Sequence, residues 1–418
     1  MFGNHANREK MKNTYLIAVV IVAIVIIVAA TAGYAYISSS TKTSTTTIPT
    51  TVTSTFTSAI TTTSVITSTI TPTSNTTSPT GAPVSVTGAG GTLIYPLMSA
   101  WEFTYNQLNP NVQVNYASVG SGAGIQQITA QTVDFGGSDA PLTAAQYAAL
   151  PSGKVLLTIP ESASAVVPAY NLPGISNGLN FTGNVLAQIF LGNITNWNDP
   201  AIAALNPGKT LPNHAIVVIH RSDGSGTMYA FTNYLSDSST QWATKVGKGT
   251  SVNWPVGLGE KGNEGVAATI INTQYSMGPI EIAYEINNKG LISYGAVQNA
   301  AGNFILANLT NIGEAINAGA TSLPAGNAHW TNVSIIDNIF NDKAATYAYP
   351  VSTLTYLLVY QQQTNLAIGT AVVNFIWWIV NSAQSAGSSL GYIPLPANIV
   401  LIDDATLNSI TYNGVAIH

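Results

Sequence analysis

The stretch Ala215-Ile-Val-Val-Ile219-His220-Arg221-Ser222-Asp223-Gly224-Ser225-Gly226-Thr227-Met228-Tyr229-Ala230-Phe231 reads as one strand–loop–helix unit. Ala215 to Ile219 is a short apolar run of the kind that forms a buried strand. Small residues follow, and Ser225, Gly226 and Thr227 open a helix running into Phe231. Helix starts leave N–H groups without intrahelical partners and attract anions. Arg221 adds five donors in a rigid fork that matches carboxylate or phosphate. The only other arginine is Arg8, near the N-terminus. Two uses fit this segment alone: a capped surface helix with a local Arg–Asp pair, or an oxyanion site.

The same plan recurs upstream. Thr87-Gly-Ala-Gly-Gly-Thr92-Leu93 precedes a helical pattern from Pro96 to Gln107. Its glycines let backbone approach a ligand closely, and Thr92 adds a hydroxyl. It has neither the lysine of a nucleotide P-loop nor the G-x-G-x-x-G order of a dinucleotide fold. Val119-Gly-Ser121-Gly-Ala-Gly124 opens a helix from Ile125 to Gln131, with Ser121 placed as helix cap or anion donor. Val133-Asp-Phe-Gly-Gly-Ser138-Asp139-Ala-Pro141 puts Asp139 after an apolar, glycine-rich strand end, where it caps a helix or faces a ligand. Val112 to Tyr116 and Val155 to Ile159 read as strands, and Gly265 to Ile271 and Ala371 to Ile379 as helices. Alternating strands and helices imply an α/β fold with mainly parallel pairing. The length of the globular part implies two lobes. Ligands in such folds sit beyond the carboxyl ends of the strands.

Composition narrows the function. The chain has 418 residues and no cysteine, which excludes disulfides, cysteine zinc sites and a lipid-modified cysteine. From residue 81 onward eight basic residues face sixteen acidic ones, a net charge of −8. Nucleic acid is excluded as a partner, because binding it needs a basic stripe. No cofactor or metal is expected, since the five histidines are scattered without ligand spacing.

The N-terminal part has a different character. Residues 1–14 form a short tail with Arg8, Lys10 and Lys12, and residues 15–37 are uncharged and apolar. As a helix they span roughly 35 Å, against a bilayer core of about 30 Å. The positive flank puts the N-terminus in the cytoplasm and the rest outside, on a single-pass anchor at the cell membrane. Residues 38–80 hold 30 Ser or Thr among 43, with three prolines. Such a segment buries no core and makes an extended stalk, taken here as 38–82. Asn75, Asn180, Asn193, Asn308 and Asn332 each begin a glycosylation sequon, as suits an exported glycoprotein.

TGAGGT (87–92), GSGAG (120–124), DFGGSDAPLT (134–143) and RSDGSGT (221–227) occur in that order. Between and after them come Ile189 to Ile202, Leu205-Asn-Pro-Gly208, Val246 to Gly259, Gly262-Asn-Glu-Gly-Val-Ala267 and Met277-Gly-Pro-Ile-Glu-Ile-Ala-Tyr284. This series resembles the extracytoplasmic phosphate-binding protein of the high-affinity phosphate ABC importer, the PstS type, over about residues 84 to 380. The resemblance implies a hinged, two-lobed periplasmic-binding-protein fold of type II, a monomeric ectodomain that closes on inorganic phosphate, and an ABC transporter permease as partner. It divides the ectodomain into lobe 1 (83–168 and 350–418) and lobe 2 (169–349). It also implies the phosphate ligands: Thr92, the Leu93 N–H, Ser121, Asp139, Arg221, Ser225, Gly226 and Thr227, with Asp223 orienting Arg221. Three positions depart from the family pattern. Gly122 stands where a second serine is common, Ser222 where alanine is, and Leu93 where an aromatic is.

An aspartate facing an anion is favourable only if it accepts a proton that the anion carries. Phosphate near neutral pH carries one, and sulfate carries none. Arsenate shares the proton pattern of phosphate and is an alternative ligand. Two other classes also fit parts of the chain. A phosphate-ester hydrolase would pair Ser121 or Ser225 with His220 or His214, but no G-x-S-x-G elbow is present. A surface-layer or adhesive glycoprotein would explain the anchor, stalk and sequons but not the ordered loops.

Overall fold

A computed structural model describes residues 83–418, so the expected anchor at 15–37 and stalk at 38–82 lie outside the described residues. A nine-stranded sheet forms the centre. Its strands are β1 (Val84–Gly90), β2 (Val112–Ser118), β3 (Phe135–Ser138), β4 (Leu156–Tyr170), β5 (Val217–Arg221), β6 (Leu258–Glu260), β7 (Ser276–Glu281), β8 (Ser293–Tyr294) and β9 (Ser352–Tyr360). They run in the order β2-β1-β3-β9-β4-β7-β5-β6, with β8 paired to β4.

The pairing is mixed, which corrects the expected mainly parallel sheet. β1 pairs in parallel with β2 and β3, and β5 with β6 and β7. Between these blocks, β9 runs antiparallel to β3 and β4, and β4 antiparallel to β7. The parallel blocks are strand–helix repeats, whereas β4 and β9 are long strands running counter to them. β4 serves both halves of the sheet: residues up to Ala165 pair with β9, and Val166 to Tyr170 pair with β7. Every residue of β4 and of β9 is buried, as expected for strands covered on both faces.

Four helices start directly after strand ends: α1 (Tyr95–Leu108), α2 (Ser121–Thr129), α3 (Gly226–Ser238) and α4 (Gly262–Asn272). Their local chemistry is ordinary. Pro96 sits in the first turn of α1, where its missing N–H removes nothing. The Ser225 hydroxyl caps α3 by accepting the Met228 N–H at 3.2 Å. Among the further helices are α5 (Ile282–Ile286) and α6 (Leu366–Ser382).

One apolar cluster runs through both lobes. On the first side, Tyr105 of α1 packs edge-on against Phe375 of α6 at 5.0 Å between ring centres. On the second, Phe231 of α3 meets Phe190 at 5.0 Å, and Phe190 in turn meets Trp254. Among the described residues no single helix is long and apolar enough to cross a bilayer. These two packed blocks carry the strand ends, and the site lies where the loops that follow them meet.

Candidate anion-binding site

The strand ends are level within each block. Gly90 of β1 lies opposite Ser118 of β2, and Arg221 of β5 opposite Glu260 of β6. Their loops reach toward one another. Gly122 N–H, in the second loop, donates to Gly224 O, in the fourth, at 2.9 Å. Gly120 has φ +89°, and a Cβ there would lie 2.4 Å from Asp223 Oδ2. A side chain at this turn would both strain the backbone and push the loops apart.

Arg221 is buried, and its guanidinium is spoken for on two sides. Nε donates to Asp223 Oδ1 at 2.7 Å, and Nη2 pairs with Asp223 Oδ2. Asp223 also accepts the Gly262 N–H at 3.2 Å. Burial alone would raise the Asp223 carboxyl, but the Arg221 hydrogen bonds and charge hold it below its ordinary range. Nη1 reaches across to Thr92 Oγ1 at 3.0 Å. The bidentate pair fixes the plane of the fork, so Nη1 is aimed by geometry rather than by packing alone.

Ser121 joins three loops through one oxygen. It donates to Asp139 Oδ2 and accepts the N–H groups of Asp139 and Gly226, each at 3.2 Å. Asp139 is fully enclosed, and its Oδ1 has no hydrogen-bond partner. Burial pushes this carboxyl up to about 7, against the Ser121 hydrogen bond and the charge of Arg221. An orphaned buried carboxylate oxygen beside a guanidinium is costly unless something donates to it.

The structure therefore makes two bonded sets on facing loops, Thr92 with Arg221 and Ser121 with Asp139 and Gly226, and the charge of Arg221 bears on Asp139. Thr227 joins the first through Asn263, whose Nδ2 donates to Thr227 Oγ1 at 3.0 Å and to Thr92 Oγ1 at 2.9 Å. Leu93 follows Thr92, but its side chain is wholly in the core and its carbonyl accepts the Tyr392 hydroxyl. Ser225 lies beside these sets as the cap of α3.

Asn263 is absent from the site residues that the sequence suggests. It opens α4 through a fifth loop on the same plan, Glu260-Lys-Gly-Asn263. The strand before it, Leu258-Gly-Glu260, has no apolar run, so the strand–loop–helix signature is too faint to read. Glu281 is a second such residue. It is fully buried where β7 meets β4, bonds Ser164 at 2.5 Å and caps α5 through the Ala283 N–H at 2.9 Å. The Tyr392 hydroxyl that holds the Leu93 carbonyl also reaches Glu281 Oε2 at 3.3 Å.

Gly226 gives a direct steric test. A Cβ at this position would lie 2.4 Å from Asp139 Cβ and 2.8 Å from its backbone. Gly226→Ala is expected to lower the ligand-free melting temperature, because the Asp139 backbone must shift, and to weaken anion affinity at least about tenfold, read by calorimetric titration. Native affinity in that variant would show that the two loops do not need this contact.

The buried carboxyls give a second test. Burial lifts Glu281 from 4.5 up to about 8, and Asp139 from 3.8 up to about 7. Both folded values lie above the unfolded ones. The stability they contribute is therefore full below about 4 and is lost as pH rises through about 7 to 8. Asp223 has the opposite sign and matters only in stronger acid. The ligand-free melting temperature is expected to fall between about pH 5 and about pH 8.5, and Glu281→Gln to flatten the fall. A melting temperature that climbs over this window contradicts the assignment.

Comparison with known proteins decides the family. A model described as the PBP superfamily domain matches residues 40–383. The phosphate-binding protein PstS of Xylella fastidiosa (strain 9a5c) is 42% identical over 318 residues, covering 76% of this chain and 83% of the relative. That of Pasteurella multocida is 41% identical over 317 residues, covering 76% and 88%. The chain belongs to the PstS family of phosphate-binding proteins.

Solved structures agree on the PstS-family fold. A high-affinity periplasmic phosphate-binding protein (PfluDING) bound with phosphate aligns with a TM-score of 0.58 at 20% identity, over 77% of this chain and 93% of its own. The phosphate-binding protein of Stenotrophomonas maltophilia gives 0.56 at 17%, over 78% and 94%. At such identities the likeness shows the two-lobed α/β architecture alone. In this PstS-family chain His220 and His214 are engaged elsewhere than with Ser121 or Ser225. His220 stacks on Trp254 with Nδ1 at Arg221 O, and His214 stacks on Tyr275.

Proposed function

We propose that this protein captures inorganic phosphate between its two lobes and delivers it to the permease of an ABC importer. The observation that carries this reading is Asp139 Oδ1, buried and unpartnered on a carboxyl whose other oxygen accepts the Ser121 hydroxyl. Thr92, the Leu93 N–H, Ser121, Arg221, Ser225, Gly226 and Thr227 supply donors, and Asp139 supplies one acceptor. An ion with four oxygens and one proton satisfies that set, and phosphate is such an ion near neutral pH. Sulfate would place a bare oxygen against Asp139. The names of the PstS relatives support the same ligand.

Charge-assisted hydrogen bonds contribute about 1.5–3 kcal/mol each. Several of them exceed the roughly 8 kcal/mol of micromolar binding, even after ordering costs. The change of partner along β4 at Ala165 and Val166, with the start of β9, is where the lobes would hinge. Lobe 1 is then 83–168 with 350–418, and lobe 2 is 169–349. Closure traps and desolvates the ion, and the closed form docks on the permease. The apolar segment 15–37 anchors a monomeric, glycosylated ectodomain to the outer face of the cell membrane, and the Ser/Thr-rich linker 38–82 gives it reach. The role is one of binding, without turnover.

A thermal shift series on phosphate-free protein tests the ligand. Phosphate and arsenate are expected to raise the melting temperature as their concentration increases, and sulfate to leave it unchanged. A shift of equal size with sulfate would remove the reading.

A further inference from the structure

Asn263 opens α4 and is fully buried. Chemistry fixes its orientation. Its Oδ1 accepts the Glu281 N–H at 3.2 Å, and a backbone N–H can only donate. Nδ2 must therefore point the other way, to Thr92 Oγ1 and Thr227 Oγ1. A hydroxyl has one proton and two lone pairs. Thr92 Oγ1 receives Asn263 Nδ2, Arg221 Nη1 at 3.0 Å and the Asn263 N–H at 3.2 Å. Its lone pairs are taken, so its proton has to be donated. Thr227 Oγ1 receives Nδ2 and likewise turns its proton away from Asn263.

We propose that Asn263 is a positioning residue that sets the polarity of the anion site: it fixes the Thr92 hydroxyl as a donor, turns the Thr227 proton away from itself and leaves Asp139 as the one acceptor. This rests on the phosphate reading above and deepens it. A hydroxyl free to turn accepts as readily as it donates, so it would blur the difference between oxyanions with and without a proton. With Asn263 in place, a single acceptor meets a single P–OH. The charged groups bearing on residue 263 are Arg221 with its partner Asp223, Asp139, and Glu264 and Glu281 beside it.

Asn263→Asp in the full-length protein is the test, because it keeps shape while exchanging a donor for an acceptor. Its Oδ1 retains the Glu281 N–H, and its Oδ2 draws the threonine protons away from the anion. Phosphate affinity at about pH 8 is expected to fall at least about 100-fold. Titration in buffers of different ionisation enthalpy should show one additional proton taken up per phosphate, because the new carboxyl binds a proton to restore the donor. Asn263→Ala removes the donor without adding an acceptor, so a loss of about tenfold and the native proton count are expected. Ligand-free melting temperatures record whether each variant folds. If Asn263→Asp does not fold, the alanine variant decides, and native affinity there overturns the proposal. Equal losses in both variants with no additional proton would reduce Asn263 to a packing role and also overturn it. Failure of the unaltered protein to bind phosphate would instead strike the reading beneath.

Discussion

Asp139→Asn is expected to admit sulfate while retaining phosphate. In the unaltered protein one oxygen of the buried Asp139 carboxyl lacks a partner, and any oxygen placed against the ionised group must bring a hydrogen. Sites built to bond one particular hydrogen reject its absence by roughly 10⁴–10⁵-fold. An asparagine in the same place accepts a P–OH through its oxygen and donates to a bare S–O through its nitrogen. Discrimination should therefore drop below about 100-fold, mostly through tighter sulfate binding. Burial lifts this carboxyl to about 7, so the acceptor form prevails above that pH, and discrimination is expected to be sharpest at about pH 8. Competition calorimetry with both ions checks this, and unchanged selectivity would remove Asp139 from its role.

Arg221→Met should be the most damaging single change to affinity. The guanidinium is buried, pairs with Asp223 through two nitrogens and turns the third toward Thr92. Removing it strands Asp223 and leaves two acidic groups around the anion. Truncating one partner of a buried, hydrogen-bonded charge pair costs about 2–5 kcal/mol of binding, so affinity is expected to fall by about 30-fold to 10⁴-fold. Arg221→Lys should rescue little, since an ammonium cannot hold Asp223 in bidentate geometry while reaching Thr92. Direct titration of the three proteins measures this. A lysine variant of native affinity would mean that only the net charge matters.

Much of this site was legible in the sequence, because each of four loops carries its own local signature: an apolar strand end, glycines and a hydroxyl or charge at a helix start. Arg221 stood out by rarity and Asp139 by its place after a glycine-rich strand. The fifth loop shows in the sequence only as the motif Gly262 to Ala267, without a role for Asn263. Asn263 follows a three-residue strand without an apolar run, and its partners Thr92 and Thr227 are distant in sequence. The long strand β4 was hidden for a related reason. Val155 to Ile159 reads as a short strand that Pro160, Glu161 and Ser162 should end. Instead the register against β9 shifts there, so Glu161 is accommodated as an extra residue and remains buried. The mixed sheet follows from that long strand, since periodicity shows where strands are but not how β4 and β9 cross the molecule.

The most direct measurement is isothermal titration of the full-length protein with phosphate, followed by sulfate. One phosphate ion bound per chain at micromolar affinity or tighter, with no heat from sulfate at the same concentrations, is the result expected here. Absence of phosphate binding, or sulfate bound equally well, would contradict the account of Asp139 as a proton acceptor inside a cage of donors.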